Sequence, residues 1–323
     1  MRNTKTALLL WASLLTALPA HCWGFWAHKT INYYAVFGLP PGLLAFYKPH
    51  IRYLSEHAVD PDMRRYLVAG EGAHHYIDID RYGAPPYEAL PRRWDSARAR
   101  YGADTLQAYG VVPWWVPLLH KRLTEAFKAG DAARILKLSA ELGHYIADAH
   151  VPLHASRNHN GQLSGQEGIH GLWESRVPEL LAPGRWNFVT GPAQYLERPD
   201  HFIWDRVVES GRAADTVLAL ERALGAEFKG QKWSWEERKG KLVRQYASAY
   251  ARAYNDRLNG MVERRMRQSI YAVSCFWLTA WIDAGQPDLG KLAGKALSAE
   301  DEKEFEQLQA AWKSGVMKGR SED

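Results

Sequence analysis

A long apolar stripe in the C-terminal half of this 323-residue chain is a strong constraint on its fold. Its members recur every four residues, at Leu242, Tyr246, Tyr250, Tyr254, Leu258, Val262, Met266 and Ile270. In a helix this spacing places side chains along one face, so it predicts a helix from Ser234 to Ala284. Similar spacings predict helices at about residues 40–53, 115–128, 131–148 and 201–228. Because no stretch alternates apolar and polar residues long enough to require a sheet, we predict an all-α fold with a single multi-helix domain.

The first 22 residues have the layout of a secretory signal peptide. Arg2 and Lys5 precede an apolar stretch from Ala7 to Leu15, and small residues follow before Cys22. That stretch is shorter than the roughly 20 residues of a membrane-spanning helix. We therefore expect residues 1–22 to be removed on export to the periplasm or the medium, with no stable membrane anchor, and residues 23–323 to form the helical domain. Cleavage there would give Trp23 an α-amino group that can bind a metal together with its own carbonyl group.

The histidines point to metal binding by nitrogen and oxygen ligands. The chain has 13 histidines but only two cysteines, which excludes a thiolate zinc finger and a disulfide-stapled scaffold. His144 and Asp148 are four residues apart on a predicted helix and so project from one face. His154 follows after that helix ends, and His170 and Glu174 repeat the four-residue spacing. One such pair is more often a solvated ion pair, but two pairs with His154 predict zinc or a similar divalent ion at more than one site.

Other polar residues near these pairs have weaker signals. His150 does not share the face of His144 and is expected to be structural, and His159 lies in a polar loop and is expected to face solvent. Upstream, an Asp60-Pro61-Asp62 run and a His74-His75 run form a second cluster. Taken alone, the first could be a turn with a helix cap and the second a short polar stretch.

In combination, these motifs resemble the superfamily that joins zinc-dependent phospholipases C with single-strand-specific nucleases of the mung bean type. The resemblance runs in order from Trp23 to Glu174, about half of the chain. It rests on three motifs. The first is a Trp followed five residues later by a His, and the second is a His and an Asp four residues apart, followed by a Pro-Leu-His run. The third is a His with an acidic residue four residues later. Those motifs are carried here by Trp23, His28, His144, Asp148, His154, His170 and Glu174.

The resemblance implies a trinuclear zinc site in a cleft. One ion would be held by Asp62, His75, His144 and Asp148, the second by the Trp23 amino and carbonyl groups with His28 and the shared Asp148, and the third by His154, His170 and Glu174. Asp62 is preferred to Asp60 because Arg65 lies three residues beyond it, as the phosphate-contacting arginine does in the nucleases. Asp148 and Arg65 would be the catalytic residues. In the nucleases, an aromatic residue at the position of Tyr76 stacks on a base, and an aspartate at the position of Asp78 hydrogen-bonds to that base.

The substrate class stays open between two phosphodiesters. Arg65, Tyr76 and Asp78 favour an exported nuclease that hydrolyses P–O ester bonds of single-stranded nucleic acid or nucleotides. Glu174, where the nucleases have Asp, and the short stretch between His154 and His170 favour a phospholipase C acting on phospholipid headgroups. A secreted protein that binds zinc without catalysis is the third possibility. The formal net charge of +5 does not separate them.

Overall fold

The computed structural model describes residues 24–238, 240–292, 299–318 and 320. Its N-terminal half consists of short helices followed by two long ones. Helices α1 to α4 span Phe25–Ala35, Pro41–Tyr47, Ile51–Glu56 and Asp60–Arg64. Helices α5 to α8 span Trp94–Tyr101, Ala103–Tyr109, Val112–Ala129 and Ala132–Asp148.

The C-terminal half is also mostly helical and contains one two-stranded sheet. Helices α9 to α11 span Ile169–Gly171, Val177–Leu181 and Pro199–Glu227. Strands β1 and β2 span Trp233–Arg238 and Lys241–Tyr246. Helices α12 to α14 span Ser248–Arg257, Met261–Asp283 and Ala299–Ser314. Within the described ranges, none of the helices combines the length and the apolar character needed to cross a membrane.

Helix α8 lies at the centre of the core. Asp131 caps its N-terminus by accepting a hydrogen bond from the Arg134 amide. Every residue from Leu138 to Asp148 is buried, which is typical of a helix packed on all sides. It contacts α1, α3, α7 and α13. Because α8 carries His144 and Asp148 into this core, its polar residues there need specific partners.

The predicted helix from Ser234 to Ala284 is wrong over residues 234–246, about its first quarter. Residues 233–246 form an antiparallel hairpin that pairs Trp233 with Tyr246, and their rings lie 4.1 Å apart. Residues four apart share a face in a strand as well as in a helix, so the stripe could not distinguish the two. Gly240 has a φ of 75°, the left-handed conformation that suits a tight hairpin turn.

The helical part of the stripe is also divided. It is confirmed as core packing, since its residues from Tyr250 to Ile270 are buried. The chain turns between α12 and α13, where Asn259 and Gly260 have φ values of 48° and 71°. Both residues adopt the left-handed conformation that ends helices, so an Asn-Gly pair marks this break.

Candidate metal centre

Close packing of α1 against α8 brings two histidines together. The amide of Asn32 donates hydrogen bonds of 3.0 Å to the carbonyl oxygens of Leu54 and Ala140, which ties α1 to both α3 and α8. Gly143 allows this approach, because a Cβ atom there would lie 2.0 Å from Asn32 Oδ1. One turn earlier on α1 is His28, whose ring stacks on that of His144 at 3.9 Å.

Asp148 lies between histidines from three segments. Its Oδ1 is 3.4 Å from His28 Nε2, and its Oδ2 is 3.0 Å from His75 Nδ1 and 3.2 Å from His144 Nε2. All four side chains are almost fully buried. The two oxygens of one carboxylate thus face different histidines, an arrangement that allows a carboxylate to bridge two ions.

Asp62, rather than Asp60, faces this group. Asp62 Oδ1 lies 3.7 Å from His144 Nε2 and 3.8 Å from His75 Nδ1. Asp60 Oδ2 instead lies 2.7 Å from Nδ1 of His57, which is not one of these ligands.

A second group of ligands lies beside the first. His170 Nε2 is 2.9 Å from Glu174 Oε2 and 3.1 Å from His154 Nε2. The predicted second helix is interrupted here, because a π-helical turn at Leu172–Arg176 carries Glu174 directly after α9. Wider turns of this kind are frequent at functional sites. His170 and Glu174, which were expected to pair across four residues of a helix, are thus close in space although the helix is irregular.

Backbone carbonyl groups orient three of the histidines. Nδ1 of His144 donates to the carbonyl oxygen of Ala58 at 2.8 Å. Nδ1 of His154 donates to that of His75 at 2.7 Å, and Nδ1 of His170 donates to that of His159 at 3.1 Å. A carbonyl oxygen can only accept, so Nδ1 carries a proton in each case. In the neutral ring the lone pair then lies on Nε2, which is the atom that faces the neighbouring ligands.

Burial and mutual contact shift the titration of the ligands. Burial lowers the pKa of His28 to about 3 and that of His75 to about 4, so both are neutral at pH 7. Burial also opposes protonation of His144, but the carboxylates of Asp148 and Asp62 outweigh it and raise its pKa to about 9. For Asp148, burial is outweighed by His144 and His154, which hold its pKa well below the usual range. Binding of a cation would therefore displace a proton from His144.

Several buried atoms fit a bound cation. Nε2 of His28 and Oδ1 of Asp148, which face each other at 3.4 Å, have no hydrogen-bond partner among the described residues. The Nε2 atoms of His154 and His170 lie 3.1 Å apart, and in neutral rings protonated at Nδ1 neither can donate to the other, so a cation between them would satisfy both. Buried polar groups arranged in this way need a charged partner.

Three sets of side chains could therefore hold metal ions. In each set, the ligand atoms lie within 4.8 Å of one another, and every member is buried. The sets are His28, His144 and Asp148; Asp62, His75 and His144; and His154, His170 and Glu174. Trp23, the remaining expected ligand, lies outside the described residues. The amide of the next residue, Gly24, donates a 3.3 Å hydrogen bond to the carbonyl oxygen of Glu174.

The residues expected to bind substrate are close to these sets but contact the C-terminal segment. Nη2 of Arg65 donates a 2.7 Å hydrogen bond to the carbonyl oxygen of Arg320. The guanidinium of Arg320 lies 3.8 Å above the Tyr76 ring and donates a 2.6 Å hydrogen bond to Asp78 Oδ1. Arg65, Tyr76 and Asp78 are all at least 95% buried.

Sequence reasoning missed some supporting residues. His159 is buried rather than solvent-facing, because its carbonyl group holds His170 and its loop folds back through Asn160. Oδ1 of Asn160 accepts hydrogen bonds from the amides of Gly168 and His170 at 2.9 and 3.3 Å. A short Asn- and Gly-rich loop directly before a ligand would be a usable signal for this role. His150 is buried and donates to the carbonyl oxygen of Ile146, outside the three sets.

A network of ionic side chains, also missed, lies behind His75. Glu71 accepts a short hydrogen bond from Tyr145, and Arg64 donates one to Glu141. Arg64 is also 3.6 Å from Glu71, whose other oxygen is 3.6 Å from His74. Burial opposes the charge on Glu71, but His74, Arg64 and His75 outweigh it and lower its pKa to about 2. The network joins α4, α8 and the segment that carries His75.

The ligand atoms of these sets are imidazole nitrogens and carboxylate oxygens. This chemistry suits zinc and similar divalent ions. The cysteine within the described residues, Cys275, is buried in α13 and accepts a hydrogen bond from the Gln194 amide, as expected for a structural thiol.

Comparisons with protein-family models, curated proteins and solved structures find no match to this chain.

Proposed function

We propose that this chain is an exported phosphodiesterase that binds three zinc ions and hydrolyses P–O ester bonds of single-stranded nucleic acid or nucleotides. The observation that carries the proposal is the convergence of three buried ligand sets with Arg65 beside them. Adjacent sets centred on shared ligands are typical of sites that clamp the attacking and leaving oxygens of a phosphoryl group. The ligands would divide as the resemblance implies, with Asp148 common to two ions.

The ions would supply a nucleophile at neutral pH, because zinc lowers the pKa of bound water to about 7. The side chains have other tasks. Asp148 fixes the distance between His28 on one side and the His75–His144 pair on the other. Arg65 directs its Nη2 at an acceptor oxygen 2.7 Å away, a geometry that a phosphate oxygen also satisfies. Its charge would stabilise the negative charge that develops on phosphorus-bound oxygens.

We infer the substrate class from Tyr76 and Asp78. The Tyr76 ring already stacks on a flat cationic group, and Asp78 already accepts hydrogen bonds from the N–H groups of Arg81 and Arg320. A planar ring flanked by a carboxylate suits a nucleobase that has N–H donors on its edge. Bases of single strands are accessible for such stacking, whereas those of a duplex are not.

The test is hydrolysis by the zinc-loaded protein. We expect cleavage of single-stranded DNA and RNA, loss of that cleavage on chelation, and little cleavage of duplex DNA. Tyr76→Ala should lower the activity on single strands by roughly 5- to 150-fold, because base stacking contributes roughly 1–3 kcal/mol. As the matched control, Tyr101→Phe removes the hydroxyl group through which Tyr101, at the end of α5, donates a hydrogen bond to the carbonyl oxygen of Ala89. Tyr101 belongs to none of the ligand sets, so this variant should leave the activity unchanged. A zinc-loaded protein that cleaves no nucleic acid would refute the proposal.

A phospholipase C is the second candidate, and a cavity favours it. The cavity has a volume of about 930 Å³ and contains the indole rings of Trp94, Trp114 and Trp204, packed edge to face at 5.4 and 5.1 Å. His74, adjacent to His75, forms part of its wall. Such an apolar surface could accept acyl chains. Release of phosphocholine from phosphatidylcholine, without nucleic acid cleavage, would favour this candidate. A protein that binds zinc but hydrolyses neither substrate would be a non-catalytic zinc-binding protein.

Export is part of the same proposal, because Trp23 can act as a ligand only through a new N-terminus. Residues 1–23 lie outside the described part of the chain. We expect mass spectrometry of the exported protein to find Trp23 as its first residue. A different first residue would remove the proposed amino ligand and contradict the three-zinc assignment.

A further inference from the structure

Helix α14 is packed on the side of the molecule that carries the metal-ligand sets. Its Leu308 is buried with Val59 and Met63, and the ring of Phe305 lies 4.3 Å from that of His57. Trp312 contacts the ring of Phe25 at the start of α1, with centroids 5.2 Å apart. The helix is therefore held by apolar contacts of its own, independent of the residues that follow it.

The segment after α14 runs across the residues proposed to bind phosphate. Gly315, with a φ of 73°, ends the helix. The amide of Lys318 donates a 2.9 Å hydrogen bond to the carbonyl oxygen of Arg65, and Lys318 Nζ donates to that of Leu67. The carbonyl oxygen of Arg320 then accepts the hydrogen bond from Nη2 of Arg65. A neutral backbone oxygen thus occupies the position opposite this guanidinium.

The same segment covers the residues proposed to bind a base. The Arg320 guanidinium is planar and has N–H donors along its edge, as adenine, guanine and cytosine have. It lies 3.8 Å above Tyr76 and donates to Asp78, so it makes both contacts that we assign to a base. Two parts of one residue, the carbonyl oxygen and the guanidinium, therefore match a phosphate and a base.

We propose that the C-terminal segment after Ser314 is autoinhibitory and that Arg320 occupies the substrate position as an internal mimic. This inference rests on the proposed function, because it assigns Arg65, Tyr76 and Asp78 to substrate. Substrate binds only when the segment leaves, and α14 stays in place while Gly315 acts as the pivot. The apparent affinity for substrate is therefore the intrinsic affinity multiplied by the fraction of molecules in which the segment is displaced.

The expected size follows from simple population arithmetic. If the segment is bound in about ten molecules for each one in which it is displaced, the apparent KM rises about elevenfold while kcat is unchanged. A short tether gives an effective concentration of about 1 mM, so the same segment added as a separate peptide would bind with a Kd of about 0.1 mM.

The experiment compares the full chain with a chain that ends at Ser314, both zinc-loaded. Hydrolysis of single-stranded DNA should show about a tenfold lower KM in the shortened chain, with kcat within twofold. Arg320→Ala should reproduce most of the effect. Lys313→Ala, in the last turn of α14, is the matched control and should behave as the full chain. A synthetic peptide of residues 315–323 should inhibit the shortened chain competitively.

An unchanged or higher KM in the shortened chain would overturn the inference, because Arg320 would then assist substrate binding or play no part in it. Calorimetric titration of the shortened chain with the peptide needs no activity. If neither protein hydrolyses a phosphodiester, the proposed function fails. The titration then tests by itself whether the segment binds at Arg65, Tyr76 and Asp78. Peptide binding to the shortened chain but not to the full chain would still support occupation of this site, whereas no binding would overturn it.

Discussion

Replacement of Asp148 by asparagine should remove zinc from the centre. The carboxylate oxygens face His28 on one side and both His75 and His144 on the other, at 3.0 to 3.4 Å. Asparagine has a single acceptor oxygen, and its amide group directs N–H donors at the opposite side. One of the two ions that would share Asp148 therefore loses an anionic ligand and meets a donor instead.

Two effects of different size should follow. In the metal-free protein, the substitution breaks a fully buried ion pair with His144, which costs roughly 3–5 kcal/mol of unfolding free energy. In the presence of zinc, a hundredfold loss of affinity would reduce the stabilisation at a concentration 1,000 times the wild-type Kd from about 4.1 to about 1.4 kcal/mol. The second effect appears only on zinc addition and is thus separable from the first.

The assay combines urea unfolding, with and without zinc, and zinc titration against a chromophoric chelator. Glu141→Gln is the matched control, because Glu141 lies on the same helix, is buried and pairs with Arg64 outside the three ligand sets. Glu141→Gln should destabilise the metal-free protein, but zinc should raise its free energy of unfolding as much as it does for the wild type. An Asp148→Asn variant that binds zinc with the wild-type stoichiometry and affinity would refute the reasoning.

Three further substitutions test separate parts of the structure. Glu174→Gln should lose one zinc equivalent and keep the others, as measured by elemental analysis after dialysis; loss of none would contradict the third ligand set. Burial lowers the pKa of His120 to about 4, so about 3 kcal/mol of stability present above pH 6.5 should be lost as the pH falls toward 4. His120→Leu should remove this share of the acid dependence in urea unfolding, while the buried His28 and His75 keep theirs, and an unchanged pH profile would exclude a contribution from His120. Gly143→Ala should lower stability by about 2 kcal/mol in thermal unfolding, because its Cβ would collide with Asn32; a higher Tm would contradict the close packing of α1 on α8.

The parts of the fold that depend on local spacing could be predicted from the sequence. Helix α8 matches the predicted segment closely, and its four-residue His144–Asp148 pair lies on one face as expected. The hairpin at residues 233–246 could not be found from the apolar stripe, because a spacing of four keeps side chains on one face in both kinds of element. The aromatic residues and Gly240 around the turn were the available signal.

The long-range parts of the site could not be predicted. The sequence favours Asp62 over Asp60 only through the resemblance that Arg65 carries, whereas in the structure Asp62 faces His75 and His144 and Asp60 contacts His57. The contact between Arg65 and Arg320 joins residues 255 positions apart, and nothing in the local pattern of either residue indicates it. Tertiary packing, which local periodicity does not encode, decides both cases.

The most direct test of the three-zinc centre is a crystal structure of the exported protein with anomalous scattering measured at the zinc absorption edge. We expect three peaks: one between Asp62, His75 and His144, one beside His28 and Asp148, and one between His154, His170 and Glu174. Absence of ordered zinc from these positions, in crystals grown with zinc, would contradict the proposed centre.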